Sequence, residues 1–540
     1  MFAEPGESAK PRFSTPVLLG IVLAVTFLVY VGTLQFEFVY DDLGQIVANP
    51  AVQSWKYFPL YFRANVWMQQ FSVGNYYRPL FLAWFLVNHT LFGLHPSFWH
   101  LTTVLAHVGV TALVFVLTLR LTRDRRVALI AALLFGLHPV HLESVAWISG
   151  VTDSLMALLL IPAFLSYLNY RERRGQGWLI LSLALYALAL LSKETAVVLP
   201  ALLFAYECTY GADARSWHAR VRGALLPLLS FVVVTGAYLV ARAQALHGIA
   251  HKTVELPLSI ALLTVPSALW WYIRLLVAPF GLSVFYDTPY VTQVSMKYVM
   301  WPAVGIALTA GLLGWWWRKK RSPLVAFASV WLLVPILPLL NLTVLPMGDF
   351  IHDRYLYLPS VGFSLLLATA LAQLDTREIF GRPAGLVAAI ALAVVMAFAT
   401  VAQSVPWAND VVLYYHGMAV APNNDLPRNK LAATFVQRGM YDQGIRLYHA
   451  VLADDPDYWY ANYRMGYAQY MTGHYLEAER YLVRATELHG TPDEFYYLGL
   501  AQVKLGRKEA AGHSLQQAVR MQPDSSEYKQ ALASLGQQSR

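Results

Sequence analysis

The sequence predicts an all-α protein, in which a multispan helical membrane domain precedes a smaller domain of paired helices. Of the 540 residues, 57% are hydrophobic and 13% are charged, whereas soluble domains have roughly 45–50% and 25%. Long apolar segments recur from about residue 16 to residue 404, and the sequence is polar from 405 onward. We therefore place a membrane domain at 1–404 and a water-exposed domain at 405–540.

The recurring apolar segments set the number of membrane spans. Each is close to the roughly 20 residues that a helix needs to cross the hydrocarbon core. The first runs from Pro16 to Val31 and lacks the small-residue cleavage site of a signal peptide, so we expect an uncleaved first span. We assign 79–93 and 257–278 to interfacial or re-entrant segments. About eleven spans remain.

Basic residues in short loops mark the cytoplasmic side of a membrane protein. Lys10 and Arg12 place the N-terminus inside. If 257–278 crossed the membrane, the basic cluster 318–321 would lie outside, which is why we treat that segment as non-crossing. The repeat domain then lies outside, on the same face as the first outer loop, 35–78.

The polar domain contains a repeated helix pair. Three segments align, 431–445, 465–479 and 498–512, and each has a glycine at the expected turn between two helices. These glycines are Gly439, Gly473 and Gly506, and small residues at Ala478 and Ala511 occupy the position where the helices touch. A period of 33 to 34 residues with this pattern is typical of the tetratricopeptide repeat. About three repeats are present, enough for a stable stack that binds an extended peptide or a protein.

An acidic pair, Asp41 and Asp42, follows the first span directly. Adjacent carboxylates raise each other's pKa, which suits a general base that takes a proton from an acceptor hydroxyl. A solvated turn or a helix N-cap before the 43–54 segment is an equally good interpretation of the pair alone.

A second polar cluster contains His138, His141 and Glu143 between two apolar segments. These residue types could ligate zinc, but the two histidines lack convincing third and fourth ligands. A structural turn, or an acidic residue that faces Asp41, is the better interpretation.

Isolated cations also border apolar segments on the expected outer side. Lys193 and Glu194 lie between two such segments, where ionisable groups are functional hypotheses by default. Lys193 would offer a point charge to a phosphate. The alternative is a tight turn whose two charged side chains extend to water.

Arg354 opens an apolar segment on the same side, against the positive-inside trend. Its guanidinium suits bidentate binding of a phosphate. The alternative is an ion pair with Asp349 or Asp353. Arg78 presents the same choice.

Together, these residues place acids, cations and aromatic side chains on one face of a membrane domain. This combination suits a site where a lipid-borne phosphate meets a hydroxylated acceptor. The sequence has neither a phosphate-binding Walker loop nor a dinucleotide fingerprint. Its single cysteine, Cys208, excludes an intramolecular disulfide and a thiol-rich metal site.

At this point the sequence resembles the multispan, polyprenyl-phosphate-sugar-dependent glycosyltransferases of the C superfamily. Among them it is most similar to the transmembrane O-mannosyltransferases with tetratricopeptide repeats. The resemblance covers nearly the whole chain. The residues that carry it are 38–42 with Asn49-Pro50, 77–80, 138–143 with Asp153, Lys193-Glu194, 354–360, Trp407 and Leu413-Tyr414.

The resemblance implies inverting transfer of a hexose, mannose being favoured, from a polyprenyl phosphate to an acceptor hydroxyl on a protein or glycan. It assigns catalytic positions to Asp41, Asp42 and Glu143, with Asp41 as the base. It assigns donor-phosphate contacts to Lys193, Arg354 and Arg78. Further residues are expected to line the site: His138, His141, Glu194, His352 and Tyr355. The need for a divalent cation, Mg²⁺ or Mn²⁺, stays open.

The small size of the chain and its single cysteine favour a bacterial inner membrane, with site and repeats in the periplasm. The repeats would recruit an acceptor or another protein, and we expect no nucleic-acid partner. The main alternative is a non-enzymatic, membrane-anchored scaffold or assembly factor of the cell envelope, in which only the repeats act. A transporter is less favoured, because its charges would lie near the midplane of the spans.

Overall fold

The computed structural model describes residues 14–68, 74–210, 217–248, 251, 254–344 and 348–537. Lys10 and Arg12, from which the cytoplasmic N-terminus was inferred, lie outside these residues. The chain separates into two compact units, and the division falls between Asn409 and Asp410. Both units are built from helices.

The first unit is a bundle of apolar helices. They are α1 (Thr15–Tyr30), α2 (Pro79–Phe92), α3 (Pro96–Thr122), α4 (Arg125–Leu137), α5 (Leu142–Val145), α6 (Thr152–Arg173), α7 (Gln176–Ser192), α8 (Leu199–Tyr210), α9 (Trp217–Leu246), α10 (Leu258–Val277), α11 (Trp301–Lys320), α12 (Pro323–Leu333), α13 (Pro359–Ala372) and α14 (Ala384–Ser404). Short 3₁₀ turns carry several residues of the candidate site, and they span Pro139–His141, Ile148–Val151, Glu194–Val198 and Asp353–Leu356. A two-stranded antiparallel hairpin, β1 (Glu378–Ile379) and β2 (Arg382–Pro383), precedes α14.

Among the described residues, eight helices are long and apolar enough to cross a membrane, or nine if the bent pair Arg125–Leu137 and Pro139–Val145 forms one span. The expected count of about eleven spans is therefore not confirmed. One reason is that α7 and α8 are helices of 17 and 12 residues, separated by a polar turn. The segment assigned as non-crossing, 257–278, forms one continuous helix of 20 residues that meets the length and hydropathy of a span.

Histidines fill polar positions inside the first unit instead of lining a groove. His107 Nδ1 lies 2.8 Å from the Tyr357 hydroxyl, and its Nε2 lies 3.1 Å from the carbonyl oxygen of Gly136. His141 Nε2 lies 2.8 Å from the Ser360 hydroxyl oxygen. These contacts satisfy polar groups that would otherwise be buried without partners.

The second unit is a stack of antiparallel helix pairs, as the repeat pattern predicted. Its helices are α15 (Asp410–Val420), α16 (Asp425–Gln437), α17 (Tyr441–Asp454), α18 (Trp459–Met471), α19 (Tyr475–Leu488), α20 (Pro492–Lys504), α21 (Lys508–Met521) and α22 (Ser526–Gln537). Gly439, Gly473 and Gly506 have φ of +75°, +83° and +75° at the turn inside each pair, a conformation that favours glycine. Ala478 and Ala511 are fully buried between helices. The all-α fold, a multispan membrane domain followed by tetratricopeptide repeats, is confirmed.

A test of the repeat packing compares one substitution at two glycines. In Gly466→Ala the new Cβ would lie 2.5 Å from Leu482 Cγ, and such overpacking costs about 1–3 kcal/mol. In Gly512→Ala the nearest atom is Leu535 Cδ2 at 3.8 Å, so the change should stabilise the helix by about 0.4–1 kcal/mol. Hydrogen exchange of α18 and α19 should accelerate in the first variant only. Equal exchange in both variants would contradict this packing.

Candidate active site

The two adjacent acids after α1 have different surroundings. Asp42 is fully buried. Its Oδ1 accepts hydrogen bonds from the backbone N–H of Ser149 at 2.9 Å and from the Ser149 hydroxyl at 2.5 Å, and its Oδ2 accepts one from the N–H of Val39 at 3.2 Å. Burial raises the pKa of Asp42 to about 7, although these hydrogen bonds lower it in part. Asp41 is only partly buried, so the second acid is fixed in place and the first reaches the surface.

The N-cap interpretation of this pair is wrong. Asp42 occupies the N-cap position of a short helical turn, Leu43–Val47, but its side chain makes no capping hydrogen bond there. The carboxylate turns instead toward Ser149, which is distant in sequence. The acidic loop is thereby tied to the 3₁₀ turn that precedes α6.

Aromatic rings connect the acidic loop to Arg354. The Tyr40 ring lies 5.5 Å from the ring of Trp147 and 5.8 Å from that of Phe285. The Arg354 guanidinium carbon lies 5.2 Å from the centre of the same Trp147 ring, a distance typical of a cation–π contact. Tyr40 has a φ of +57°, which is uncommon for a tyrosine. The acidic loop and the segment that begins at Arg354 therefore meet at Trp147.

Arg354 is paired with Glu143, and not with either neighbouring aspartate as the alternative interpretation proposed. The Glu143 carboxylate, which is fully buried, accepts hydrogen bonds from the Arg354 guanidinium and from the Arg354 backbone N–H. His352 Nδ1 lies 3.3 Å from the same carboxylate. Asp353 accepts a hydrogen bond from the Tyr286 hydroxyl at 2.5 Å, and burial raises its pKa well above the ordinary range. Glu143 thus faces inward and fixes Arg354.

Lys193 also has an acidic partner, Asp153 on α6. The Lys193 ammonium nitrogen lies 2.6 Å from Asp153 Oδ2, and both side chains are buried. The alternative interpretation, in which the Lys193 side chain extends to water, is therefore wrong. Burial lowers the pKa of Lys193, and the Asp153 carboxylate opposes that effect. Lys193 and the Arg354 guanidinium both lie near the Tyr355 ring, 5.3 Å and 5.1 Å from its centre.

Arg78 and Glu194 form a third ion pair. Arg78 donates from Nε and Nη2 to the two Glu194 oxygens, at 2.9 Å and 2.6 Å. Burial disfavours the charged form of Glu194, but the Arg78 guanidinium prevails and lowers the pKa of Glu194 to about 2. Carboxylates therefore orient all three expected cations beside two tyrosines. Burial raises the pKa of Tyr76 while Arg78 and Arg354 oppose that effect, and Lys193 and Arg354 lie near the Tyr355 ring.

The histidines do not converge with Glu143 on a metal site. His138 Nε2 lies 3.0 Å from the carbonyl oxygen of Leu276, and its Nδ1 accepts the N–H of Val140. His141 contacts Ser360, as described above. Within the described ranges no group of three or more His, Cys, Asp or Glu residues is placed to hold a metal ion. The residues present do not fit a zinc site, and His138 and His141 belong to the buried interior.

Sequence reasoning missed four residues of this region. Asp153 was named among the residues that carry the family resemblance but was given no role, although it is the ion-pair partner of Lys193. Ser149 donates hydrogen bonds to Asp42. A Cβ on Gly150 would lie 2.0 Å from the carbonyl oxygen of Glu143, so only glycine allows the backbone at 150 to come this close to that carbonyl. Arg242 lies near the end of α9 and donates to the carbonyl oxygen of Asn75 at 2.6 Å. Arg242 carried a signal in the sequence, because it is an arginine near the end of an apolar segment.

Comparison with known proteins gives the class of this chain. Residues 77–238 match the family described as dolichyl-phosphate-mannose-protein mannosyltransferase. Residues 435–498 and 495–525 match tetratricopeptide-repeat families. The chain is thus an integral membrane protein in which a segment similar to this mannosyltransferase family precedes tetratricopeptide repeats.

Individual relatives narrow this class. The chain is 23% identical to the protein O-mannosyl-transferase TMTC3 of Mus musculus, covering 98% of this chain and 62% of the relative. It is 26% identical to the protein O-mannosyl-transferase TMTC1 of Homo sapiens, covering 80% and 54%. The chain therefore spans roughly half to two thirds of these relatives. The resemblance to transmembrane O-mannosyltransferases with tetratricopeptide repeats is confirmed.

Among solved structures, an Archaeoglobus fulgidus oligosaccharyltransferase in the apo form aligns with a TM-score of 0.39 at 12% identity. The alignment covers 81% of this chain and 60% of that protein.

The Glu143–Arg354 pair can be tested through stability. Glu143→Ala should destabilise the protein by about 3 kcal/mol, the lower end of the range for a broken buried pair, because it leaves the largely buried Arg354 guanidinium without its charge partner. Thermal unfolding of the purified protein, followed by tryptophan fluorescence, measures the loss. The double variant Glu143→Ala, Arg354→Met should regain part of the loss. A double variant less stable than the single one would contradict this assignment.

The buried Asp42 should make stability depend on pH. Its pKa is about 7 in the folded protein against an ordinary value of 3.8, so between these values the folded state binds more protons. The free energy of unfolding should then fall as pH rises from about 4 to about 7. Denaturant unfolding across this range should show a smaller decline in Asp42→Asn than in the wild type. An unchanged slope would show that Asp42 is ionised throughout.

Proposed function

We propose that this chain is an inverting glycosyltransferase that moves a hexose, mannose, from a polyprenyl phosphate to an acceptor hydroxyl of a protein. The observation that carries the proposal is the arrangement of Arg78, Lys193 and Arg354 around two tyrosines, next to the acidic loop. The names of the similar O-mannosyl-transferases support the choice of reaction and sugar.

The three cations would serve the leaving group. As the bond between the sugar C1 and the phosphate oxygen breaks, the polyprenyl phosphate takes the electron pair and gains negative charge. Arg354 and Lys193 would stabilise that charge, with Arg78 as a further contact. Because carboxylates already orient the three side chains, little reorganisation is needed as charge develops.

Asp41 would act as the general base. The acceptor oxygen attacks C1 from the face opposite the phosphate, and its proton passes to the Asp41 carboxylate. Asp42 would position the loop through Ser149 and Val39. Glu143, for which we expected a catalytic role, acts instead through Arg354 as a positioning residue. No step in this scheme uses a metal ion.

The location follows from the charges in the loops. We infer that the N-terminus is cytoplasmic and that the acidic loop and the repeats share the outer, periplasmic face of a bacterial inner membrane. Nucleotide sugars are cytoplasmic, so a site on the outer face takes its donor from the membrane. The repeats would bind the acceptor protein or a partner that delivers it.

Transfer by the full-length protein in nanodiscs tests the proposal. The assay supplies radiolabelled polyprenyl-phosphate-mannose and a membrane-free periplasmic extract, and follows label into protein. Asp41→Asn should lower the rate by about 10²–10⁴-fold, the range for loss of a general base, with folding unchanged. Glu37→Gln changes an exposed carboxylate of the same loop and should leave the rate near that of the wild type.

Two results would overturn the enzymatic function. One is that folded wild-type protein releases no sugar from any of several polyprenyl-phosphate sugars. The other is equal transfer by Asp41→Asn and the wild type. Either result would favour the scaffold, in which the repeats alone recruit a partner.

A further inference from the structure

A cavity lies beside Lys193 at the C-terminal end of α9, apart from the acidic loop. Its volume is about 260 Å³. The residues that line it come from the loop before α2, the turn after α7, α9, the segment after α12 and the turn before α13. They are Asn75, Tyr76, Lys193, Glu194, Thr195, Val197, Tyr238, Leu239, Arg242, Pro338, Leu339, Asn341, Val344 and Tyr355. The cavity therefore brings charged groups into contact with a largely apolar wall.

Arg242 is held in the wall of this cavity. Its side chain is 8% exposed, and Nη2 donates to the carbonyl oxygen of Asn75 at 2.6 Å. The Asn75 side chain in turn binds the backbone of His251, accepting from its N–H at 2.7 Å and donating to its carbonyl oxygen at 2.8 Å. Arg242 thus lines the cavity, and a guanidinium is a planar fork of N–H groups that matches phosphate oxygens.

The charges of the cavity favour an anion. Lys193 and Arg242 are its cationic lining residues, and Glu194 is its acidic one. Both Glu194 oxygens are engaged by Arg78, which does not line the cavity. Lys193 is likewise paired with Asp153. The three cations Arg78, Lys193 and Arg242 therefore exceed the two carboxylates Asp153 and Glu194 by one positive charge, and an anionic group that enters would meet this excess at Arg242.

The remaining wall favours an apolar chain. Val197, Leu239, Leu339 and Val344 contribute aliphatic side chains. Leu239 and Pro338 are exposed at the surface. Each lies in a segment that is long and apolar enough to span a membrane, Arg222–Leu246 for Leu239 and Pro323–Leu340 for Pro338. A ligand with an anionic head and an apolar chain satisfies both parts of the cavity.

We propose that Arg242 and Lys193 bind the phosphate of a lipid-linked phosphate in this cavity, and that Arg242 selects for that phosphate. The lipid's role as sugar donor rests on the proposed function. Its binding can be measured without turnover. Arg242 lies outside every motif that suggested the site, so it adds a specificity-determining residue to those already described.

Binding of two lipids that differ only in the head group tests this role. Full-length protein in nanodiscs of neutral lipid is titrated with polyprenyl phosphate and with the polyprenol of the same chain length, and bound lipid is measured by native mass spectrometry. The wild type should prefer the phosphate by at least about tenfold. Arg242→Met should reduce this preference about tenfold, and Arg242→Lys, which keeps the charge, should reduce it less.

Arg274→Met is the matched control. Arg274 is exposed near the end of α10, its guanidinium carbon lies 4.5 Å from the centre of the Trp271 ring, and it does not line the cavity. This variant should keep the wild-type preference. A purely structural role for Arg242 would weaken binding of both lipids alike, and that result, or an unchanged preference in Arg242→Met, would overturn the proposal.

The transfer assay separates this proposal from the proposed function. If mannose transfer fails while the wild type still prefers the phosphate and Arg242→Met does not, the cavity assignment stands and the enzymatic function falls. If transfer occurs but the KM for the donor is the same in Arg242→Met and the wild type, the enzymatic function stands and the cavity assignment falls.

Discussion

Carboxylates that hold cations are the constraint on which the candidate site depends. Removing a charge from water at the end of an apolar helix costs several kcal/mol unless a partner and hydrogen bonds compensate. Asp153, Glu143 and Glu194 provide that compensation for Lys193, Arg354 and Arg78. Each acid lies on a different part of the chain from its cation, so the ion pairs also connect segments that the sequence separates.

A close backbone approach brings the two halves of the site together. Gly150 lies so near the carbonyl of Glu143 that any side chain would displace it. Ser149 precedes this glycine and binds Asp42, while Glu143 binds Arg354. The turn from 143 to 151 therefore sets the distance between the acidic loop and the cationic cluster. This turn can adopt its geometry because position 150 is glycine and carries no side chain.

The sequence predicted those features that repeat or that violate a strong rule. Three glycines at the same point of a 33- to 34-residue period identified the helix pairs before any contact was known. Lys193 and Arg354 stood out because cations are rare beside apolar segments on an outer face. Spacing cannot identify the partner of a charge, and Asp153 was hidden inside an apolar helix. The span count was not confirmed, because an apolar segment does not show where its helix ends, and α7 and α8 are helices of only 17 and 12 residues.

His138 and His141 lie at a structural turn, which the sequence pattern favoured over a zinc site. The pattern of His138 and His141 resembles a pair of metal ligands, but a bundle of apolar helices also needs polar groups that bind carbonyls and hydroxyls internally. Both histidines serve that need. In a membrane domain, a histidine beside a helix break is therefore weak evidence for a metal.

Because the cavity lies at the end of α9, its occupancy depends on the concentration of the ligand in the membrane and not in water. A ligand with an apolar chain reaches Leu239 and Pro338 by lateral diffusion in the lipid phase and not by collision from water. Saturation then depends on the mole fraction of the ligand among the surrounding lipids. Diluting a membrane suspension with buffer leaves that fraction unchanged, whereas added detergent lowers it and empties the cavity.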